Sequence, residues 1–541
     1  MEKIFNKGIK FESNTCYNAT ESRYDIYLDD CSYTDNPLYF SYMPRLKEAM
    51  PVGFLLKDLE NVTLDFQDAT IVFHGRIVPF IIDNCKNVKL VNFKVDYDRP
   101  FYTQAHVLEC DSKRMKVRID DGFDYRLDDE GFLYAVSETW ENKLNHDDCL
   151  LQLFDRTGCK DYPIILSLFG PEIFPGENPP LPIGRIDVEK DGDCLVFNGN
   201  FPESWDANDG NNSLLITHEI RDKCTVIVVN SEDLHIENFI LIHGAAYAIM
   251  GMNSKNLYID NFSMYTNYEG NGRLVTNNAD GIHLFNCKGE FVFKNSHMEG
   301  LLDDTVNIHN NYIQIVEAEG TQLVCRFVGK AVNLYCPLFV KDDKIAVYRG
   351  RTQEKKDECV ITDVKLDKET NSFIFTLDKE LNGVEQGDII ENLSGHPTIL
   401  IENCEFGRFR GTMRLQSREK TVLRNCKFNN MGESIIFTGD TTYWYESGPV
   451  NDFLIENCSF PYTHCGPRIR FFGEVEFTEK ENYYHKNITV RNCRFAPGWV
   501  AVLNHVDNFV FEGNTCDGEM MIHAPCCGKV VCDDNVKLSR G

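Results

Sequence analysis

Ile401-Glu402-Asn403-Cys404-Glu405-Phe406, Leu423-Arg424-Asn425-Cys426-Lys427-Phe428, Ile455-Glu456-Asn457-Cys458-Ser459-Phe460 and Val490-Arg491-Asn492-Cys493-Arg494-Phe495 are four statements of one phrase. Each is a short β-rich run, then Asn, then Cys, then a second apolar residue. Phe511-Glu512-Gly513-Asn514 is a worn copy. Ile236-Glu237-Asn238-Phe239, Ile259-Asp260-Asn261-Phe262 and Asp83-Asn84-Cys85 are earlier ones. Asn238 and Asn261 are 23 residues apart, Asn403 and Asn425 are 22, and Asn492 and Asn514 are 22. Helical repeats usually run longer, and no 3.6-residue periodicity fills these gaps. Short strands with polar turns at this spacing predict an all-β chain, a right-handed parallel β-helix in which each phrase adds one coil. Like residues then stack at about 4.8 Å. Asn serves the turns, and Cys and Phe line the interior, so these Asn-Cys pairs are scaffold.

The phrase is lost twice. Residues 103–222 and 312–396 carry Pro, Gly and acidic turns instead, as in Gly170-Pro171 through Pro179-Pro180-Leu181-Pro182 and in Val340-Lys341-Asp342-Asp343-Lys344-Ile345. Both read as inserted small β-barrel domains. The expected organisation is N-terminal coils over 1–102, an insertion over 103–222, central coils over 223–311, a second insertion over 312–396, and C-terminal coils over 397–541.

Composition narrows the function. The 541 residues are 43% hydrophobic, enough for a real core. Against 55 Lys and Arg stand 83 Asp and Glu, a net charge of −28 that repels phosphate backbones. No nucleic-acid partner is expected, polyanionic substrates are disfavoured, and neutral glycans suit the field better. The N-terminal Met1-Glu2-Lys3-Ile4-Phe5 run has no signal-like apolar core, and no membrane-length apolar stretch occurs. Twenty-one scattered cysteines do not make a small disulfide framework. These features predict buried free thiols, no membrane partner and a cytoplasmic location, or a secreted one with its signal removed. The long flanks are compatible with a homodimer.

Between the insertions lie Asn277-Asn278-Ala279-Asp280-Gly281-Ile282-His283 and Leu301-Leu302-Asp303-Asp304-Thr305-Val306-Asn307-Ile308-His309. Asp280 and Asp303 are 23 residues apart, one coil, which places them at the same point of successive rungs. Asp304 points the other way in a straight strand and joins them if the chain bends. Clustered carboxylates drive their protonation equilibria apart, which supplies an acid and a base near neutral pH. That is the requirement of glycosidic cleavage, and the spacing is compatible with either stereochemical outcome. Solvent-facing turn aspartates or a Ca²⁺ site are the competing readings of these residues. Three carboxylates at coil spacing, flanked by His283 and His309, favour catalysis. His523, Cys526, Cys527 and Cys532 fit no common zinc spacing and read as terminal-coil packing. Asp206-Ala207-Asn208-Asp209-Gly210 reads as a turn, its Gly one position early for a calcium loop.

These residues resemble glycoside hydrolase family 110, the α-1,3-galactosidases. Phe73-His74-Gly75-Arg76 with Asp98-Arg99-Pro100-Phe101 looks like the family's first coils. The two Asp segments look like its central site, and Gly439-Asp440-Thr441-Thr442-Tyr443-Trp444-Tyr445-Glu446-Ser447-Gly448 like its late aromatic segment. The resemblance implies an exo-acting, inverting hydrolase of terminal α-1,3-linked galactose with no cofactor and no metal. It makes Asp303 the general acid and gives Asp280 and Asp304 a shared general-base role. Trp444 would stack on the sugar and Glu446 bond its hydroxyls, with His283, Asn307 and His309 as further substrate-binding candidates. Tyr443, Trp444 and Tyr445 could equally pack over the helix side. The substrate partner implied is a galactose-terminated oligosaccharide or glycan. A polygalacturonase-like β-helix hydrolase is the nearest alternative, with Arg468-Ile469-Arg470 as its basic clamp, but His243-Gly244 lacks that enzyme's leading Gly. A non-catalytic glycan-binding β-helix is the second alternative.

Overall fold

The structure, a computed structural model, describes the whole chain except residues 6, 42–48, 145–148, 156–163, 166–180, 183–185, 202–204, 206–211, 219–222, 330–336, 368–369, 371, 408–411, 430–433, 438, 462–466, 472–482 and 541. The Asp206–Gly210 turn and most of the Gly170–Pro182 run therefore lie outside the described residues.

The chain is all-β and forms a right-handed parallel β-helix. One sheet of 20 strands and one of 14 run its length. Along the 14-stranded sheet Phe80, Val226, Ile249, Ile282, Val306, Met413, Ile435 and Ile469 align from coil to coil. All of them are buried in one continuous core. The residue after each faces outward, giving the column Ile81, Ile227, Met250, His283, Asn307, Arg414, Ile436 and Arg470.

The repeated Asn has a physical cause. Asn92, Asn238, Asn261, Asn295, Asn403, Asn425, Asn457 and Asn492 all have φ between 50° and 58°, the left-handed region that Asn tolerates best among residues with a Cβ. Each sits at a corner where the coil turns. Asn238 donates to Asn92 Oδ1 at 2.7 Å and Asn261 to Asn238 at 2.8 Å. Asn403 donates to Asn295 at 3.2 Å, Asn425 to Asn403 at 3.1 Å, and Asn457 to Asn425 at 3.3 Å. Behind the corner Cys404, Cys426, Cys458 and Cys493 are buried free thiols. Phe406, Phe428, Phe460 and Phe495 stack at 5.3, 4.8 and 4.8 Å. In the last coil Cys527 and Cys532 pack against the core.

The two insertions differ. The second is a closed six-stranded barrel of Ile313–Glu319, Gln322–Arg326, Ser372–Leu377, Lys355–Asp367, Lys344–Tyr348 and Ile389–Asn392. The first, among the described residues, is not closed. Its main strands, including Tyr102–Cys110, Arg114–Ile119, Leu150–Asp155 and Asn212–Thr217, order as an open antiparallel sheet beside a three-stranded meander. Arg99, buried at its root, donates to the carbonyls of Pro100 and Tyr102 and to Thr103 Oγ1.

The barrel's position bounds the site. Outward residues Ile81, Ile227, Met250, Met252 and Phe285 share one apolar cluster with barrel residues Ile313, Ile345, Phe375 and Ile390. The barrel thus covers the outer face up to the rung where that face becomes polar, at His283 and His309. Its root is pinned by Glu391, which pairs with Arg418 at 2.5 Å and His396 at 3.2 Å. Burial opposes the charge of Glu391, but Arg418 and His396 outweigh it and hold the carboxyl down to about 2.

Candidate active site

The two Asp segments are adjacent, with one correction to their alignment. Ile282–Phe285 pairs with Val306–Asn311 as Ile282↔Val306 and His283↔Asn307, and Asn277 bridges Leu301. Just upstream, Gly281 N–H donates to the Asp304 carbonyl at 2.9 Å. In this register Asp304, rather than Asp303, is the rung partner of Asp280. The interval of one nominal coil misplaced the pair because coil length varies along the helix. Met413 pairs with Ile435 after a short coil, whereas Ile249 reaches its partner Ile282 only after a much longer one. Gly281 is required at this junction: a Cβ there would lie 2.6 Å from the Thr305 carbonyl oxygen and 2.0 Å from Met298 Cε. The close approach lets the Asp280 backbone sit tight against the next coil.

Asp304 is buried, and both of its oxygens are engaged. Oδ1 accepts from Thr412 N–H at 2.7 Å and Thr412 Oγ1 at 3.0 Å, and Oδ2 lies 3.1 Å from Arg414 Nε. Burial raises its pKa to about 6, the neighbouring Asp303 adds to the rise, and Arg414 and Thr412 oppose it. Asp303 is more exposed, and its Oδ1 accepts from the Asp304 N–H at 3.1 Å. Adjacent carboxyls thus occupy different surroundings, one buried against a guanidinium and one reaching toward solvent.

Asp280 is 2% exposed, and its Oδ2 lies 2.6 Å from His283 Nδ1. His283 Nε2 lies 3.1 Å from His309 Nε2, and His309 Nδ1 lies 2.7 Å from the Asn310 carbonyl oxygen. Glu446 Oε1 is 3.6 Å from His309 Nε2 and 3.5 Å from Asn307 Nδ2. Asp280, His283, Asn307, His309 and Glu446 are thereby brought into one buried cluster beside Asp303 and Asp304.

Glu446 arrives from the late aromatic segment. Glu446–Ser447 pairs antiparallel with Asn310 and Asn311. Asp440 shapes the loop that delivers it. Its buried carboxylate accepts from Thr442 N–H at 2.6 Å, Thr442 Oγ1 at 2.7 Å, Tyr443 N–H at 3.2 Å and Tyr445 N–H at 3.1 Å, and also from Trp444 N–H. Tyr445 takes φ +58°, a strained value that this web of bonds sustains. Trp444 is partly exposed and packs against the barrel cluster, with Tyr443 edge-on at 5.1 Å. It combines the packing role with an accessible face.

Thr412, Arg414 and Asp440 are the residues that sequence reading passed over. Arg414 follows Asn307 in the outward column, but the whole barrel intervenes between them in the chain, so no local spacing reveals it. Asp440 lies inside the quoted aromatic segment and carries no motif of its own. His74 and Arg76 of the first-coil motif serve elsewhere: His74 Nε2 contacts Asp25 at 2.7 Å, and Arg76 donates to Asn142 at 3.0 Å. Among the described residues no group of three or more His, Cys, Asp or Glu is arranged to hold a metal ion, and no helix is long and apolar enough to cross a membrane.

Comparison with known proteins follows the same line. No family model matches the chain. It is 28% identical over 492 residues to α-1,3-galactosidase B of Bacteroides thetaiotaomicron, covering 86% of this chain and 75% of that protein. It is 28% identical over 417 residues to α-1,3-galactosidase A of Shewanella woodyi, covering 76% and 65%. Against α-1,3-galactosidase A of Bacteroides fragilis the figures are 24% over 495 residues, 88% and 77%. Among solved structures a family 28 exopolygalacturonase of Yersinia enterocolitica aligns with a TM-score of 0.33 and 12% identity, over 96% of this chain and 69% of that one. That score is too low to bear on the fold, which rests on the strand register above. The chain is a homologue of the α-1,3-galactosidases, which bears out the resemblance to glycoside hydrolase family 110 carried by its own motifs.

Proposed function

We propose that this chain is an exo-acting glycoside hydrolase that releases terminal α-1,3-linked galactose with inversion. The observation that carries the reading is the register that sets Asp280 and Asp304 on paired rungs, with Asp303 beside Asp304 and buried Asp304 raised to about 6. Relatedness to proteins named α-1,3-galactosidase supports the substrate. In this reading Asp303 protonates the leaving oxygen, the role that the resemblance to the α-1,3-galactosidases gives it. Asp304 is mostly ionised at neutral pH and shares with Asp280 the task of orienting and deprotonating water on the far side of the anomeric carbon. Glu446 and Asn307 bond the sugar hydroxyls and Trp444 stacks on its apolar face. The barrel packs over the outward residues of the preceding rungs, and this one-sided cover is compatible with exo action.

The column of free thiols supports a reducing compartment, the cytoplasm, and thus an oligosaccharide rather than a polymer as substrate. Arg414 and Arg470 on the same outward column favour a uronate-cleaving second reading, but Arg414 is committed to Asp304. Release of galactose from an α-1,3-linked disaccharide, abolished by D303N, tests the proposal. Cleavage of polygalacturonate instead would establish the second reading, and unchanged disaccharide binding with no turnover in the parent would leave a binding module.

A further inference from the structure

We propose that His283 and His309 are not sugar ligands but a two-imidazole proton store that works through Asp280; the inference rests on the hydrolase reading above. The argument is a count of hydrogens. The Asn310 carbonyl can only accept, so His309 Nδ1 carries a hydrogen. The two Nε2 atoms at 3.1 Å need one hydrogen between them. His283 Nδ1 and Asp280 Oδ2 at 2.6 Å need another. Three hydrogens thus occupy three bonds, whereas two neutral imidazoles supply two. The third is an excess proton, and it resides on Asp280, on His283 or on His309. In every placement the trio is electrically neutral, which suits three groups each 2% exposed.

The surroundings favour moving that proton away from Asp280. Glu446 Oε1, 3.6 Å from His309 Nε2, is the acidic group at the far end of the chain. The Tyr247 ring packs on His283 at 5.0 Å and the Phe285 ring lies 6.2 Å from that of His309. Asp303, Asp304 and Arg414 lie on the following coils, with Arg414 paired to Asp304. With the proton on an imidazole, Asp280 is an ionised base whose charge is matched.

During turnover the water oxygen forms its bond to the anomeric carbon as the glycosidic C–O bond breaks. The leaving oxygen takes the proton of Asp303, and the water proton passes to the Oδ1 of Asp280. The hydrogen at Oδ2 then belongs to His283, and the imidazolium charge is balanced by Glu446. His283 and His309 are positioning residues in this scheme: His283 touches Asp280 and His309 touches His283, and neither acts on the reacting atoms.

The test is the pH dependence of kcat/KM on an α-1,3-linked galactose disaccharide for the whole protein, H283N and H309Q. Without an imidazolium partner a buried carboxyl ionises less readily. In H283N the acidic limb is expected to move up by about one pH unit or more while KM stays within about threefold. H309Q, one bond further from Asp280, shifts the limb the same way by less and stands in if H283N fails to fold. A tenfold rise in KM with the limb unmoved would show that the histidines bind sugar, and would overturn the proposal. Far-downfield imidazole N–H lines in the proton spectrum of the protein give a readout independent of turnover. Two such lines, one removed by each substitution, are expected, and a spectrum that neither substitution alters overturns the store. A parent protein without turnover would refute the hydrolase reading alone, leaving these lines to judge the histidines.

Discussion

Replacing Asp304 by Asn removes a proposed catalytic carboxyl and is expected to stabilise the protein as pH rises. The carboxyl stands at about 6 against an ordinary 3.8. A group whose folded value is raised costs stability when ionised: nothing below 3.8, progressively more between 3.8 and 6, and a constant amount above. At about 1.4 kcal/mol per unit, that constant is about 3 kcal/mol. Roughly half of it develops between pH 5 and pH 7. Asn keeps an oxygen for the Thr412 N–H and hydroxyl and has about the same size, so packing and fixed contacts enter both ends of the pH range equally. Denaturant unfolding of both proteins from pH 5 to pH 8 checks this. The stability difference should move in favour of D304N by about 1.5 kcal/mol over that range and level off above pH 7. A difference independent of pH would mean that Asp304 is not a raised, buried carboxyl, and would remove the basis for its assignment as a base of neutral range.

Two further predictions rest on local geometry. In D440N an amide nitrogen faces the Trp444 and Tyr445 N–H groups that the carboxylate now satisfies, so the loop carrying Trp444 and Glu446 relaxes. KM for the galactoside should rise about tenfold with kcat little changed, because the affected contacts bind the sugar equally in ground and transition states; an equal fall of kcat with KM fixed would contradict this. N425A loses the bonds to Asn403 and from Asn457 and forces a non-Asn residue to φ +55°. It should destabilise by about 2–3 kcal/mol without altering kcat, read as a lower denaturant midpoint. A neutral result would deny the ladder its structural role.

What the sequence could reveal follows from what repeats in it. The corner Asn, the Cys behind it and the Phe beyond keep the same order in every phrase, because every coil meets the same steric demand, although Asn403, Asn425, Asn457 and Asn492 lie 22, 32 and 35 residues apart. The β-helix was therefore legible from the repeated phrase together with the 22- and 23-residue intervals at Asn238–Asn261, Asn403–Asn425 and Asn492–Asn514. The candidate site could be proposed from the sequence, but its register could not be read there. Asp280, Asp303 and Asp304 could be named, yet the pairing of Asp280 with Asp304 depends on a coil length that changes along the helix. Arg414 was hidden by the barrel, which is inserted between it and its rung neighbour Asn307. Asp440 was hidden for a different reason: its work is done on backbone N–H groups, which leave no trace in residue type. The roles of His283 and His309 depend on which atoms face which, and that is settled only by the fold.

The central claim is most directly tested by proton NMR of the first turnovers on an α-1,3-linked galactose disaccharide, before the released sugar mutarotates. Initial appearance of β-galactose is the predicted result, with water held by Asp280 and Asp304 attacking opposite the bond protonated by Asp303. Initial α-galactose would mean retention through a carboxylate nucleophile and would contradict the roles given to all three.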